Sequence, residues 1–343
     1  MMKKISLCIC FYNSEKFIKR ALDSFVGFLT DEIEVVLVDD GSIDDSVSIV
    51  KEYMNKYTQL KLIQHDINKG LSLARKTAVD NSIGGHIMFL DADDEFIKNP
   101  FEFFLEDRSY QFYDVIEYGA ITDNGERYLN ENYEYNKPID GIEYLNDYFR
   151  FKNIYVMLCL RIFRKELFYP KAFSENLRIH EDNMSLPILL SRTNKVIVID
   201  EMLLKINSNP NSITRIKYSL SDKENIYKKL ELKASLFYEI VFHLDENVDQ
   251  RANGIALNRF FIQMALYHSF YSGGDSLRNM LKRQKSINNK IDTRTFLKFK
   301  TLIQIKSILN IPLIIFGFKV TSMIIFIISK LNIITNQKLR KVV

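Results

Sequence analysis

Along the first ninety residues, short apolar runs rich in β-branched side chains alternate with stretches in which apolar residues recur every three or four positions. The runs 5–11, 34–38, 60–65 and 86–90 read as strands, and Phe17, Ile18, Ala21, Leu22, Phe25 and Val26 keep helical spacing after the first of them. Ser42, with Asp45 three residues on, predicts a capping-box start for a helix that turns Val47, Val50, Tyr53 and Met54 inward. A further helix is expected around 73–81. Strands alternating with helices are the mark of βαβ units, and in the open sheet such units build, ligands bind beyond the carboxyl ends of the strands. Asn13, Asp39 and Asp91 therefore belong at one edge. Past residue 100 the pattern loosens. Strands are expected at 115–121 and 196–199, a turn at Asn124-Gly125, and helices at 142–149 and about 183–191; from Leu220 onward the reading is helical. The domain boundary falls near Arg215, giving a sheet-bearing domain 1–215 and a helical region 216–343.

Charge sharpens that division. Residues 1–215 carry 26 Lys and Arg against 34 Asp and Glu, while 216–343 carry 21 against 9. From Arg278 onward there are 14 basic residues and one acid, Asp292. The run 311–329 is nearly all apolar, interrupted by Lys319, Pro312 and Gly317, and flanked by Lys298, Lys300, Lys306, Lys330, Lys338, Arg340 and Lys341. A spanning helix needs about 20 predominantly apolar residues, so this marginal run is expected to lie in an anionic membrane interface over about 278–343. A hairpin packed on the domain or on a second copy is the alternative, which leaves a homo-oligomer open. Apolar content on this scale argues against nucleic acid as the partner of the basic tail. The cysteines are Cys8, Cys10 and Cys159, too few for a disulfide framework, and the N-terminus is too short of apolar residues for a secretory leader. The expected location is cytoplasmic, peripheral to the inner face of the cell membrane.

The informative chemistry is acidic. Asp39-Asp40-Gly41-Ser42 ends the second strand and Asp91-Ala92-Asp93-Asp94 the fourth. One Asp-Asp pair would be read as turn chemistry. Two clusters at equivalent strand ends converge on one crevice, where they repel each other unless a cation intervenes. Carboxylate oxygens suit Mn²⁺ or Mg²⁺, which bind one or two carboxylates and complete their shell with water and substrate phosphates.

Here the chain resembles the inverting glycosyltransferases of family 2, which have the GT-A fold. Cys10-Phe11-Tyr12-Asn13-Ser14-Glu15 is similar to the family's opening Pro-x-Tyr-Asn-x-Glu, and Val38-Asp39-Asp40-Gly41-Ser42 to its Val-Asp-Asp-Gly-Ser. Asn68-Lys69-Gly70 through Ala74-Arg75 resembles its Asn-x-Gly-x-x-x-Ala-Arg, and Asp91-Ala92-Asp93 its Asp-x-Asp, with Glu181-Asp182 and Asn211-Ser212-Ile213-Thr214 following in order. The resemblance covers about 1–215. It implies a Rossmann-like, mostly parallel open sheet and transfer of a sugar from a nucleotide diphosphate donor, UDP-linked by expectation, to a hydroxyl of a glycan or lipid-linked acceptor in bacterial surface polysaccharide or lipooligosaccharide synthesis.

Residue by residue, the resemblance implies a donor pocket of Phe11, Tyr12, Asn13, Glu15, Asp39, Asp40, Gly70, Arg75, Asp91 and Ala92. Asp39 would meet the base, Asp91 the ribose, and Asp93 the metal that bridges the diphosphate. Arg75 would steady the acids or the phosphates. Asp182 is the expected catalytic base, with Glu181 beside it. This chain departs from the family in having Cys10 for Pro, Lys76-Thr77-Ala78 after the Ala-Arg, and Leu204-Lys205-Ile206 where relatives carry His or Arg; Lys205 is expected to offset phosphate charge instead. Two other classes compete. A phosphoryl-accepting receiver also ends a strand in Val-Asp-Asp, but its first strand and not its second. A non-catalytic binding or scaffold protein on the same fold is disfavoured by Asp93 and Asp182.

Overall fold

The computed structural model describes residues 4–149, 154–169, 172–173 and 182–209. Glu181, residues 211–214, the helices expected after Leu220 and the basic apolar tail lie outside the described residues.

Ten strands of the described residues form one sheet. Its first half is what the periodicity predicts: β1 (Ile5–Phe11), β2 (Ile33–Asp39), β3 (Leu60–Gln64) and β4 (His86–Asp91) lie parallel in the order β3-β2-β1-β4. Both faces of β1 and β2 are covered, which is why they read as continuous apolar runs rather than as alternating ones. The crossovers carry α1 (Ile18–Asp23), α2 (Ser46–Met54) and α3 (Leu71–Asp80). Helix α2 begins three residues later than the capping box at Ser42 predicts, with Asp45 at its cap position. The Ser42 hydroxyl accepts from the Asn13 amide at 2.9 Å, and Asp44 instead accepts from the Ser46 amide at 3.1 Å.

The second half departs from the expected mostly parallel sheet, which is in fact mixed. After β5 (Glu95–Phe96) and α4 (Glu102–Glu106) come β6 (Val115–Thr122), β7 (Arg127–Tyr128), β8 (Pro138–Asp140), α5 (Gly141–Phe149), β9 (Arg161–Arg164), α6 (Asp182–Leu190) and β10 (Lys195–Ile206). Strand β9 enters antiparallel between β4 and β6, and β10 continues parallel to β6. Two antiparallel pairings in succession return β6 to the direction of β4. The carboxyl ends of β1, β2, β4, β6 and β10 therefore share one edge.

That edge is curled. Strand β5 pairs with the far side of β10, through Phe96 opposite Leu204 and Glu95 opposite Lys205. Only four residue steps separate Asp91 from Glu95, about 14 Å at full extension. In a flat sheet the four strand spacings from β4 to β5, about 4.8 Å each, would add to roughly 19 Å. The end of β10 must bend back toward β4, and two register shifts along β10 between Val198 and Leu204 supply the bend. Among the described residues no helix is long and apolar enough to cross a membrane.

Candidate active site

The strand ends build one side of the candidate site from backbone geometry upward. Asn13 follows β1 in a left-handed conformation, φ 49°, and its side-chain oxygen accepts from the Ile43 amide at 2.9 Å. The Glu15 amide donates to Asp44 at 3.0 Å, and the Glu15 carboxylate accepts from Asp45 at 3.3 Å. The β1 and β2 loops are thus laced together. Phe11 is buried in the sheet, while Tyr12 is 46% exposed at its lip. Asp39 is buried and accepts from the Ser42 amide at 2.9 Å and from Gln64 Nε2 at 3.3 Å.

Its neighbour Asp40 has a different job. One oxygen accepts from the Lys69 amide at 2.9 Å and meets His65 Nδ1 at 2.8 Å, and the other accepts from the Gly70 amide at 2.7 Å. Asp40 is buried and turned to the protein, where it holds the Lys69-Gly70 turn that opens α3. Gly70, at φ 92°, needs the freedom of glycine there. Gly41 needs it as well: at φ 79° a side chain would be strained, and a Cβ would sit 2.8 Å from the Ile67 backbone.

Helix α3 carries Arg75 on its inner face, where it is 2% exposed. Its Nη2 donates to Asp91 Oδ1 at 2.9 Å and its Nη1 donates to Asp182 Oδ1. The guanidinium lies 5.4 Å from the centre of the Phe89 ring, so the cation is sandwiched between an aromatic face and two acids. Asp182, the first residue of α6, also accepts from the Leu158 amide at 3.4 Å. Residues 91 and 182, far apart in sequence, are joined through one side chain.

Beyond Asp91 the loop 92–94 concentrates negative charge. Burial, with the charge of Asp91, pushes the Asp93 carboxyl above its ordinary range. The same two causes push Asp94 up to about 8. Asp91, Asp94 and Cys159 offer ligand atoms all within 4.8 Å of one another. Burial holds the Cys159 thiol well above its usual value, so the oxygens of the two acids and not the sulfur are the candidate donors.

Residues 6–169 match Glycosyl transferase family 2. Over that segment, a little under half of its length, the chain is similar to the family. Over 244 residues, 69% of this glycosyltransferase and 70% of the relative, it is 28% identical to the uncharacterized glycosyltransferase EpsJ of Bacillus subtilis (strain 168). It is 30% identical over 188 residues to the minor teichoic acid biosynthesis protein GgaA of the same organism, of which it spans 41%. The crystal structure of S. aureus TarS 1-349 in complex with UDP-GlcNAc matches it with a TM-score of 0.68 at 18% identity, covering 96% of this chain and 91% of that one. That likeness establishes the GT-A fold.

Within this glycosyltransferase most of the expected site residues sit on the common edge. Lys205 is on β10 there, but it pairs with Glu95 at 3.0 Å and Asp123 at 3.6 Å. Ala92, within the acidic loop, is buried. Several residues with a part in the site carry no sequence signal that singles them out. They are Arg20, whose Nη2 donates to the Asp93 carbonyl at 2.5 Å, and Asn207 and Asn209, which reach the same loop. Asn-Ser-Asn-Pro after a strand reads only as a turn. The donor set fits a hard divalent cation: oxygen ligands crowded together with raised affinity for a positive partner, proton or metal.

Proposed function

We infer that the enzyme transfers a sugar from a nucleotide diphosphate donor, UDP-linked, to a hydroxyl of a bacterial surface glycan, with inversion at the anomeric carbon. The observation that carries this reading is the Arg75 bridge, which puts Asp182 and the acid at the end of β4 in one hydrogen-bonded unit. Asp39 and the Tyr12-Asn13-Glu15 loop receive the nucleoside. Asp182 takes the proton of the acceptor hydroxyl as its oxygen attacks the anomeric carbon on the face opposite the departing diphosphate, and one displacement inverts the centre. Arg75 orients Asp182 for that role. Asp93, with Asp91 and Asp94 beside it, would hold Mn²⁺ or Mg²⁺. When bound there, the ion neutralises charge on the leaving diphosphate. The names of the relatives, which include a teichoic acid biosynthesis protein, support a surface polymer or its lipid-linked precursor as acceptor.

Hydrolysis of UDP-Glc, UDP-Gal, UDP-GlcNAc and UDP-GalNAc with Mn²⁺ tests the reading and identifies the donor. Asp182→Asn keeps the size of the side chain but takes no proton, so kcat should fall by roughly 10²-fold or more with UDP affinity nearly intact. Turnover of none of the four, with UDP still bound, would favour a binding protein on this fold.

The basic, apolar tail adds a second proposal, contact with anionic membrane from the cytoplasmic side by the region after Arg278. Its electrostatic part is about 1 kcal/mol for each Lys or Arg near the surface and is screened by salt. Full-length protein should co-sediment with anionic vesicles, more weakly at high salt. A chain ending near Arg278 should stay in the supernatant and still hydrolyse donor. Indifference of the full chain to anionic vesicles would end this proposal.

A further inference from the structure

The three residues that follow β10 run back over the acidic loop and are fastened to it. The Asn207 amide donates to Asp94 Oδ1 at 2.9 Å, and Asn207 Nδ2 donates to the Asp93 carbonyl at 3.2 Å. Asn209 Nδ2 donates to Asp93 Oδ2 at 2.7 Å. Between them, the Ser208 amide donates to Asp123 Oδ2 at 2.6 Å, which ties the strap to the chain just past β6. Arg20 of α1 donates to the same Asp93 carbonyl. The backbone of Asp93 is thus held by two elements, and its carboxylate by one amide.

An aspartate carboxylate turns readily about its last torsion, and a half-turn exchanges its two oxygens. With Oδ2 engaged by Asn209, that exchange is suppressed and the group presents one orientation to the site. The choice of an amide matters. A lysine or arginine at 209 would bring a positive charge to compete with a cation, and an acid would add a fourth negative charge beside Asp91, Asp93 and Asp94. Asn209 donates a hydrogen bond while doing neither. Partners of this kind commonly set the affinity of a metal ligand without touching the metal, and their loss costs about 10–100-fold.

We propose that Asn209 is a positioning residue for Asp93, holding its carboxylate in the orientation that receives the divalent cation, while Asn207 fixes the loop backbone beneath it. The proposal rests on the reading that Asp93 ligates that cation. The test is Mn²⁺ binding to the full-length protein in the presence of UDP, followed by the electron paramagnetic resonance signal of free Mn²⁺, with melting temperature measured alongside in EDTA. Asn209→Ala should weaken Mn²⁺ binding about tenfold while leaving the EDTA melting temperature nearly unchanged. Asn209→Leu, close in shape but without the amide, should give the same loss, and Asn207→Ala a smaller one. Wild-type Mn²⁺ affinity in both Asn209 variants, with binding lost in Asp93→Ala, would overturn the role of Asn209 and leave the metal assignment standing. Normal binding in Asp93→Ala would overturn the metal assignment itself.

Discussion

Arg75 and Arg161 are both buried arginines paired with acids, and they do opposite things. Arg161 on β9 faces Glu117 of β6 in register, with 2.6 Å between Nη2 and Oε2 and exposures of 0% and 1%. Tyr144 from α5 donates to the same carboxylate, and Arg161 Nη1 donates to the Met157 carbonyl at 3.0 Å. Every group in that cluster is sealed, and burial drives the Tyr144 phenol far above its usual range. Arg75 is as deeply buried, yet its acids are not: Asp91 is 38% exposed and Asp182 19%. A pair sealed at both ends can only hold two strands together. A cation inside with acids outside aims those acids at whatever enters. Burial of the arginine is the same in both cases, so the exposure of its partners is what separates scaffold from site.

The comparison breaks most visibly at Arg161. Removing one member of a sealed pair leaves a buried charge, and Arg161→Met should cost about 3–5 kcal/mol in chemical denaturation. Glu117 Oε1 and Arg161 Nε have no hydrogen-bond partner among the described residues, so the pair is imperfectly compensated. Replacing both, as Arg161→Met with Glu117→Leu, should recover most of the loss. A single variant as stable as the parent would show that the cluster is not a structural clamp. Arg75→Met should behave differently. Its acids keep contact with water, so the stability loss should be smaller, while Asp182 loses its orientation and kcat should drop by roughly 10²-fold. If Arg75→Met unfolds the protein as readily as Arg161→Met does, the distinction between the two sites fails.

The same contrast explains what was legible in the sequence. Strands β1, β2 and β4 were readable because parallel strands covered on both faces must be continuous apolar runs, and the acids that end them stand out against that background. Strand β9 was not. Its four residues, Arg-Ile-Phe-Arg, begin with a charge that is tolerated in the core only because Glu117 lies opposite, a partner 44 positions away that no local pattern reveals. Strand β10 was seen only as far as Ile199, since Asp200-Glu201 reads as a break, whereas the chain continues through its register shifts to Ile206. The Asp39-Asp40 pair stands at the end of β2, where the apolar run before it puts it, but only tertiary hydrogen bonds show that Asp40 builds the Gly70 turn. Asn207 and Asn209 were invisible for the same reason, because their meaning lies in the curl that brings the end of β10 over the acidic loop.

The smallest effect concerns the charge that the open site stores. Asp94 is buried, its amide donates to the Asp91 carbonyl at 3.0 Å, and its Oδ1 accepts from Asn207. Burial first, and then the charge of Asp91, raise its carboxyl from an ordinary 3.8 to about 8. Between those values the folded protein binds a proton that the unfolded chain has released. Stability from this group is therefore complete below about pH 4, declines as pH rises through the window, and is lost once pH passes about 8. Asn at this position cannot ionise, yet it keeps an oxygen for the Asn207 amide. In EDTA, Asp94→Asn should melt closer to wild type at pH 5 than at pH 8.5, where the variant should be the more stable of the two. Mn²⁺ with UDP should narrow the gap at pH 8.5, because a cation relieves the wild-type repulsion that the variant no longer has. A difference equal at both pH values would mean that packing, and not ionisation, sets the behaviour of residue 94.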